Sequence, residues 1–142
     1  AGRLQRKAAL HGAVLIDDSY NANPASVHAA LKVLAEASGR KILVLGDMGE
    51  LGPSAERLHS EIGTEARQLG VDKLLALGEL TSRTVREFGK GARHFERIED
   101  LLDALDKELA RGDTVLVKGS RFMRMERVVR HCTQGENACC SH

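Results

Sequence analysis

Residues 13–39 read AVLIDDSYNANPASVHAALKVLAEASG, and this stretch predicts a strand, a polar loop and a helix in succession. The apolar run at 13–17 is short, which is typical of a buried strand in a parallel sheet. Pro24 opens the helix because proline is tolerated in a first turn, and Gly39 provides a stop signal. One face of this helix is apolar and carries Val27, Ala30, Leu31 and Leu34. The stretch is therefore one βα unit of an α/β fold.

The alternation of strands and helices continues over the rest of the chain. Apolar runs that predict strands lie at 41–46, 73–78, 92–96 and 114–120, and helical patterns lie at about 54–69, 80–89, 98–112 and 121–131. Strands separated by helices imply parallel pairing, and right-handed crossovers put helices on both faces of the sheet. We expect one α/β domain with a doubly wound, mostly parallel sheet. Ser54 is the predicted N-cap of the second helix.

The composition argues against several classes of function. The chain has 142 residues with 21 basic and 20 acidic side chains, so its formal charge of +1 indicates no basic surface for nucleic acid. Aromatic residues make up 3% and tryptophan is absent, which argues against base stacking. No apolar run approaches the ~20 residues of a membrane span, and the first ten residues lack a secretory signal. We expect a cytoplasmic protein that binds neither nucleic acid nor membrane.

All three cysteines lie in the last eleven residues: Cys132, Cys139 and Cys140. The body of the domain therefore has no disulfide framework. His131 and His142 are close to these cysteines in the sequence, but the spacing of the cysteines and histidines matches no zinc pattern. We expect residues 132–142 to be a flexible tail, and we assign no metal site.

Polar residues concentrate in three loops that each follow a predicted strand. Their sequences are DDSYNANP at 17–24, GDMGELG at 46–52 and VKGSRFMRME at 117–126. Because the carboxyl ends of parallel strands share one edge of a sheet, these loops converge on one crevice if the strand order brings them together. The chain has no G-x-x-x-x-G-K-[ST] phosphate loop, and Ser120 lies in no G-x-S-x-G elbow. The residues predict a binding site, and we assign no catalytic residue.

These three motifs, together with GRL at 2–4, resemble the C-terminal domain of the bacterial Mur ligases over about residues 2–129. The resemblance implies a Rossmann-like domain at 13–131, preceded at 1–12 by the end of an interdomain hinge. It also implies two further domains in the same protein, an N-terminal one for a UDP-sugar and a central one for ATP. ATP and Mg²⁺ would then be bound mainly by the central domain, and this chain alone would be inactive.

Within this family, the octapeptide DDSYNANP resembles that of the members that add D-Ala-D-Ala to UDP-MurNAc-tripeptide in peptidoglycan precursor synthesis. The resemblance implies an ATP-dependent ligation through an acyl phosphate, by a monomer in which this domain contributes nucleotide contacts and the dipeptide pocket. Two alternatives stay open. One is a stand-alone module that binds a small ligand. The other is a different amino-acid ligase of the superfamily, such as folylpolyglutamate synthetase, against which the octapeptide argues.

The resemblance implies five nucleotide-binding residues: Arg3, Asp18, Tyr20, Asn21 and Asn23. Arg3 matches the arginine that reaches the ATP phosphates, and a guanidinium fork suits phosphate oxygens. Asp18 matches the acidic residue that accepts hydrogen bonds from the ribose hydroxyls. From the residues alone, Asp18 or Ser19 could instead tighten the turn, and Asn23 could cap the following helix.

The resemblance also implies a dipeptide site in the loops after the second and the last predicted strands: Asp47, Glu50, Lys118, Ser120 and Arg121. Lys118 or Arg121 could pair with the dipeptide carboxylate, and Ser120 could hydrogen-bond it. Asp47 or Glu50 could accept hydrogen bonds from its ammonium group. We expect His59, on the helix that follows GDMGELG, to hold that loop in place.

Overall fold

The computed structural model describes residues 3–140, and it describes the side chains of residues 3–133. The strands and helices follow one another as β1 (Gln5–Ala8), β2 (Val14–Asp18), α1 (Pro24–Ala35), β3 (Lys41–Gly46), α2 (Ala55–Gln68), β4 (Lys73–Leu77), α3 (Thr81–Phe88), β5 (Ala92–Phe95), α4 (Ile98–Glu108), β6 (Thr114–Lys118) and α5 (Glu126–Cys140). Short 3-10 helices lie at Leu10–Gly12, Gly52–Ser54 and Arg121–Met123. The βα unit predicted at 13–39 is present as β2 and α1.

The strands form one sheet in the order β1-β2-β6-β3-β4-β5. Neighbouring strands are parallel except for β1, which runs antiparallel to β2. In this sheet, Lys118 of β6 lies opposite Asp18 of β2 on one side and Leu45 of β3 on the other. The predicted doubly wound, mostly parallel sheet is confirmed. Because β2, β6 and β3 are adjacent, the three polar loops leave the same edge of the sheet side by side.

A hydrophobic layer covers each face of the sheet. Successive strand residues point to opposite faces, so Leu15 and Ile16 of β2 belong to different layers. The layer that contains Leu15 is completed by residues of α4 and α5. The layer that contains Ile16 is completed by residues of α1, α2 and α3. The helices therefore fix the sheet from both sides, and the loops at its carboxyl edge are held by rigid elements.

Three local features differ from the sequence predictions. Residues 5–8 form strand β1, which the sequence did not predict because the polar stretch QRKA carries no apolar strand signal. Ser54 makes no side-chain cap for α2, because its backbone is already helical at the end of the 3-10 turn. The last helix begins at Glu126 and not at residue 121, because Arg124 has a left-handed φ of 52° and separates it from the preceding 3-10 turn.

Cys132 of α5 is fully buried, one residue beyond the predicted end of the domain. Burial, helped by the nearby charge of Asp106, raises the pKa of its thiol to about 12, so Cys132 behaves as a small apolar side chain. The side chains of Cys139 and Cys140 lie outside the described residues. Among the helices in residues 3–140, none has the length and apolar character that crossing a membrane requires.

Candidate functional site

Ser120 joins the three polar loops at the carboxyl edge of the sheet. Its Oγ accepts a hydrogen bond from the Gly49 N–H at 2.6 Å and donates one to the Ala22 carbonyl at 3.3 Å. Its own N–H donates to the Asp47 carbonyl at 3.1 Å. The loops after β2, β3 and β6 therefore meet at one buried hydroxyl, and the predicted convergence is confirmed.

Two neighbouring clefts open beside these loops. The first cleft, of about 340 Å³, is lined by all five residues predicted to bind the nucleotide, together with Leu4, Ser26, Ala29 and Lys118. The second cleft, of about 530 Å³, is lined by Glu50, Ser120 and Arg121 of the predicted dipeptide site, and by Gly49, Leu51, Ala22 and Phe122. Asn21 and Asn23 line both clefts. The structure thus groups most of the predicted residues into two adjoining sites.

Lys118 lies in the first cleft and not in the second. Its side chain is 1% exposed, and its Nζ donates to Asp18 Oδ2 at 2.6 Å and to the Asn21 carbonyl at 3.2 Å. The other carboxylate oxygen of Asp18 accepts the Leu4 N–H at 3.1 Å. Of the two residues predicted to pair with a dipeptide carboxylate, Lys118 or Arg121, Lys118 instead has its ammonium group bound to the DDSYNANP loop, which its register opposite Asp18 brings close.

Asp47 lines neither cleft and is nearly buried. Its carboxylate accepts hydrogen bonds from the backbone N–H groups of Glu79, Leu80 and Thr81 at 2.9–3.1 Å, at the start of α3. Gly78 has a φ of 121°, and a Cβ at this position would lie 2.4 Å from the Asp47 carboxylate. Of the two residues predicted to accept the dipeptide ammonium group, Asp47 or Glu50, Asp47 is thus occupied in fixing α3, and Glu50 lines the second cleft.

His59 holds the GDMGELG loop, as predicted. The ring is fully buried, and its Nε2 accepts the Met48 N–H at 3.0 Å. Its Nδ1 donates to the Ala55 carbonyl at 2.7 Å, which fixes the neutral tautomer with the proton on Nδ1. Both ring nitrogens are committed, so His59 shapes the rim of the second cleft without facing a ligand.

Glu50 and Arg121 supply opposite charges on the second cleft. Glu50 is exposed and has a left-handed φ of 60°, which turns the loop at the cleft mouth. Phe122 is 65% exposed and stands beside Arg121 in the same lining. Its ring also lies against Gly49, where an added Cβ would be only 2.8 Å from the ring. The cleft therefore combines an acid, a guanidinium and an apolar wall.

Asn23 caps α1 and also borders both clefts. Its side chain accepts the Ser26 N–H at 2.9 Å, and Ser26 Oγ accepts the Asn23 N–H at 3.0 Å. This reciprocal pair is a capping box, so the capping alternative is confirmed for Asn23. Asn21 Oδ1 accepts the N–H of Ala22, and Asn21 lines both clefts.

Asp17 was not singled out from the sequence, although it tightens the turn that carries the first cleft. Its Oδ1 accepts both the N–H and the hydroxyl of Ser19, and its Oδ2 pairs with Lys7 at 3.0 Å. Burial alone would raise the pKa of Asp17, but the hydrogen bonds from Ser19 and Lys7 outweigh it and hold the pKa below its usual value. The available signal was the acidic residue two places before a serine in a turn.

Within the described side chains, no group of three or more His, Cys, Asp or Glu residues could hold a metal ion. The polar side chains that line the two clefts carry guanidinium, amide and carboxylate groups. They fit an organic ligand with phosphate or carboxylate oxygens better than a metal centre.

Known proteins resemble this chain in both sequence and structure. The family described as "Mur ligase, glutamate ligase domain" matches residues 2–121. UDP-N-acetylmuramoyl-tripeptide–D-alanyl-D-alanine ligase of Escherichia coli K12 is 40% identical over 141 residues, which is 98% of this chain and 30% of the relative. MurF from Acinetobacter baumannii superposes with a TM-score of 0.81 at 32% identity, over 94% of this chain and 30% of that protein.

A crystal structure of MurF ligase from Thermotoga maritima in complex with ADP gives the same TM-score of 0.81, at 27% identity and over 92% of this chain. The chain spans about 30% of the length of these relatives. The match to the family covers 120 of the 142 residues and includes the first two polar loops and the start of the third. The chain therefore belongs to the Mur ligase family.

Proposed function

We propose that this chain is the C-terminal domain of an ATP-dependent ligase that adds D-Ala-D-Ala to UDP-MurNAc-tripeptide, through an acyl phosphate, in peptidoglycan precursor synthesis. The observation that carries the proposal is the pair of adjoining clefts, one of which gathers all five predicted nucleotide residues. A relative that is 40% identical over 98% of the chain is named a UDP-N-acetylmuramoyl-tripeptide–D-alanyl-D-alanine ligase, and this name supports the same substrates.

In this proposal, the first cleft contacts the nucleotide. Arg3 offers a planar fork of N–H donors for phosphate oxygens. Lys118 and the Leu4 N–H orient the Asp18 carboxylate, because each donates a hydrogen bond to one of its two oxygens. The remaining lone pairs can accept the two hydroxyls of a ribose, the ligand that the sequence resemblance assigns to this residue. Tyr20 and Asn21 form the wall beside it.

The second cleft receives the dipeptide in this proposal. Arg121 pairs with the D-Ala-D-Ala carboxylate, and Glu50 accepts hydrogen bonds from its ammonium group. Leu51 and Phe122 provide apolar surface for the two methyl groups. The hydroxyl hydrogen of Ser120 is donated to the Ala22 carbonyl, so no donor remains for the dipeptide carboxylate, and Ser120 serves the dipeptide mainly by holding the loops together.

The remaining parts of the reaction belong to the rest of the protein. ATP and Mg²⁺ are bound mainly by the central domain, where Mg²⁺ would neutralise phosphate charge during transfer. The partners of this chain are the N-terminal and central domains, UDP-MurNAc-tripeptide and D-Ala-D-Ala. The whole protein is a cytoplasmic monomer, and this chain alone has no ligase activity.

Phosphate release tests this proposal. The chain is joined to its upstream domains, and ATP-dependent phosphate release is recorded with UDP-MurNAc-tripeptide, with and without D-Ala-D-Ala. Release that needs both substrates, and that the 142-residue chain alone does not support, is the expected result. Release that ignores D-Ala-D-Ala and depends on L-glutamate would contradict the substrate, and no ATP turnover under any combination would favour the binding-module alternative.

A further inference from the structure

Two arginines share the ring of Tyr20. The guanidinium carbon Cζ of Arg3 lies 4.4 Å from the ring centroid, and Cζ of Arg121 lies 5.2 Å from it. Both distances are within the range of about 6 Å for cation–π contacts. Arg3 lines the first cleft and Arg121 lines the second. The Tyr20 ring therefore contacts one cationic residue of each cleft.

Both guanidinium groups keep their N–H donors for a ligand. Among residues 3–133, no hydrogen bond from either guanidinium and no ion pair with a carboxylate accompanies the contacts with Tyr20. A guanidinium that rests on an aromatic ring retains the in-plane donors at its edge. Tyr20 can thus fix the position of both cations without consuming their capacity to bind anions.

The two cations are close enough to influence each other. Because both distances are measured from one centroid, the two guanidinium carbons lie within about one Debye length, roughly 10 Å at 0.1 M salt. Their charges repel, and the attraction of each to the same ring offsets part of that repulsion. An anion that binds beside one arginine neutralises it and lowers the repulsion felt by the other. An anion in one cleft therefore changes the electrostatic environment of the arginine in the other cleft.

We infer that Tyr20 is a positioning residue that couples the two clefts, by holding Arg3 toward a phosphate-bearing ligand and Arg121 toward a carboxylate-bearing one. The inference rests on the proposed function for the identity of these two anions. The coupling itself follows from one half-exposed ring shared by two guanidinium groups.

The arrangement can be tested by NMR on the 142-residue chain, whose helices cover both faces of its sheet. Tyr20 is the only tyrosine, so cross-relaxation from its ring protons to arginine side chains is unambiguous. We expect the Hδ protons of both Arg3 and Arg121 to show this contact and an upfield ring-current shift. Tyr20→Leu should abolish both upfield shifts, and Tyr20→Phe should retain them.

Arg93 provides an internal control, because its Cζ lies 5.0 Å from the Phe95 ring centroid in another part of the domain. Its upfield shift should be the same in all three proteins, which shows that the fold is intact. If Arg93 is unchanged while Tyr20→Leu moves only one of the two cleft arginines, or neither, the shared position on the ring is wrong.

The coupling between the arginines needs a second variant. Replacing Arg121 by Ala should change the Arg3 side-chain shifts in the parent chain, because the repulsion and the competition for the ring are removed. The same replacement in a Tyr20→Leu background should change the Arg3 shifts much less, because the competition for the ring is already absent and only the direct repulsion between the two charges is removed. An equal response in both backgrounds would overturn coupling through the ring.

Steady-state kinetics of the protein with its upstream domains gives an independent readout. Tyr20→Leu should raise the KM for ATP and the KM for D-Ala-D-Ala about fivefold each, with kcat nearly unchanged, and Tyr20→Phe should restore both. An increase in only one KM would overturn the inference. If the parent protein shows no dependence on D-Ala-D-Ala, the proposed function fails, and the spectra of the 142-residue chain still decide whether Tyr20 couples the arginines.

Discussion

The ion pair between Lys118 and Asp18 is the residue contact on which the first cleft depends most. Lys118→Met would leave the Asp18 carboxylate without its counter-ion in a site where the lysine is 1% exposed. Removing one partner of a buried pair costs about 3 kcal/mol or more, because the other charge stays desolvated. We expect Lys118→Met to lower the free energy of unfolding by about 3 kcal/mol in urea denaturation.

Lys7 offers a matched control for this variant. It pairs with Asp17 at 3.0 Å on the neighbouring strand, but its side chain is 38% exposed. Lys7→Met should therefore cost about 1 kcal/mol or less. Equal losses for Lys7→Met and Lys118→Met would contradict the structural role assigned to Lys118.

Asp17 makes the stability of the fold depend on pH. Its folded-state pKa is lowered below that of an unfolded aspartate, about 3.9, so the unfolded chain binds more protons in this range. The stabilisation is complete above about pH 5 and is lost as the pH falls through the folded-state pKa. Asp17→Asn should flatten this part of the profile when the free energy of unfolding is measured between about pH 6 and pH 3. An identical acid slope in both proteins would show that Asp17 contributes nothing to it.

Helix α1 starts with a capping box that also shapes both clefts. Asn23→Ala removes the acceptor for the Ser26 N–H, and such a loss costs about 1 kcal/mol. Asn23→Asp keeps an oxygen at the same position and should retain the stability. We expect thermal unfolding to show a melting temperature lower by roughly 4 °C for the alanine variant alone. If the aspartate variant loses as much, the cap is not what Asn23 contributes.

The elements that a local pattern encodes could be predicted, and those that depend on distant contacts could not. Apolar runs predict β2 and β3, and helical periodicity predicts α1. All three elements occur where the sequence indicates. β1 is polar and forms because its backbone pairs with the edge of β2, a contact that no alternation signals. The break before α5 depends on the left-handed backbone of Arg124. Arginine rarely adopts this conformation, so the sequence does not predict the break.

For the site as well, the features that a local pattern encodes could be predicted and those that depend on distant contacts could not. That three polar loops share one edge follows from parallel pairing, and the sequence was sufficient for it. Which side chains face a ligand depends on register and on long-range contacts. Lys118 turns toward Asp18, one hundred residues away, and Asp47 turns toward the start of α3. The contact of Tyr20 with both Arg3 and Arg121 also joins residues far apart in the chain, so only the assembled fold shows it.

The most direct test of two functionally distinct clefts is the pair of KM values in the protein with its upstream domains. Asp18→Asn should raise the KM for ATP about tenfold and leave the KM for D-Ala-D-Ala near its parent value, because an amide oxygen is a weaker acceptor for a ribose diol and the ion pair with Lys118 that orients the side chain is lost. Glu50→Gln should do the reverse, because the ammonium group loses its charged partner. If both variants raise the same KM, or neither separates the two substrates, the assignment of a nucleotide cleft and a dipeptide cleft is contradicted.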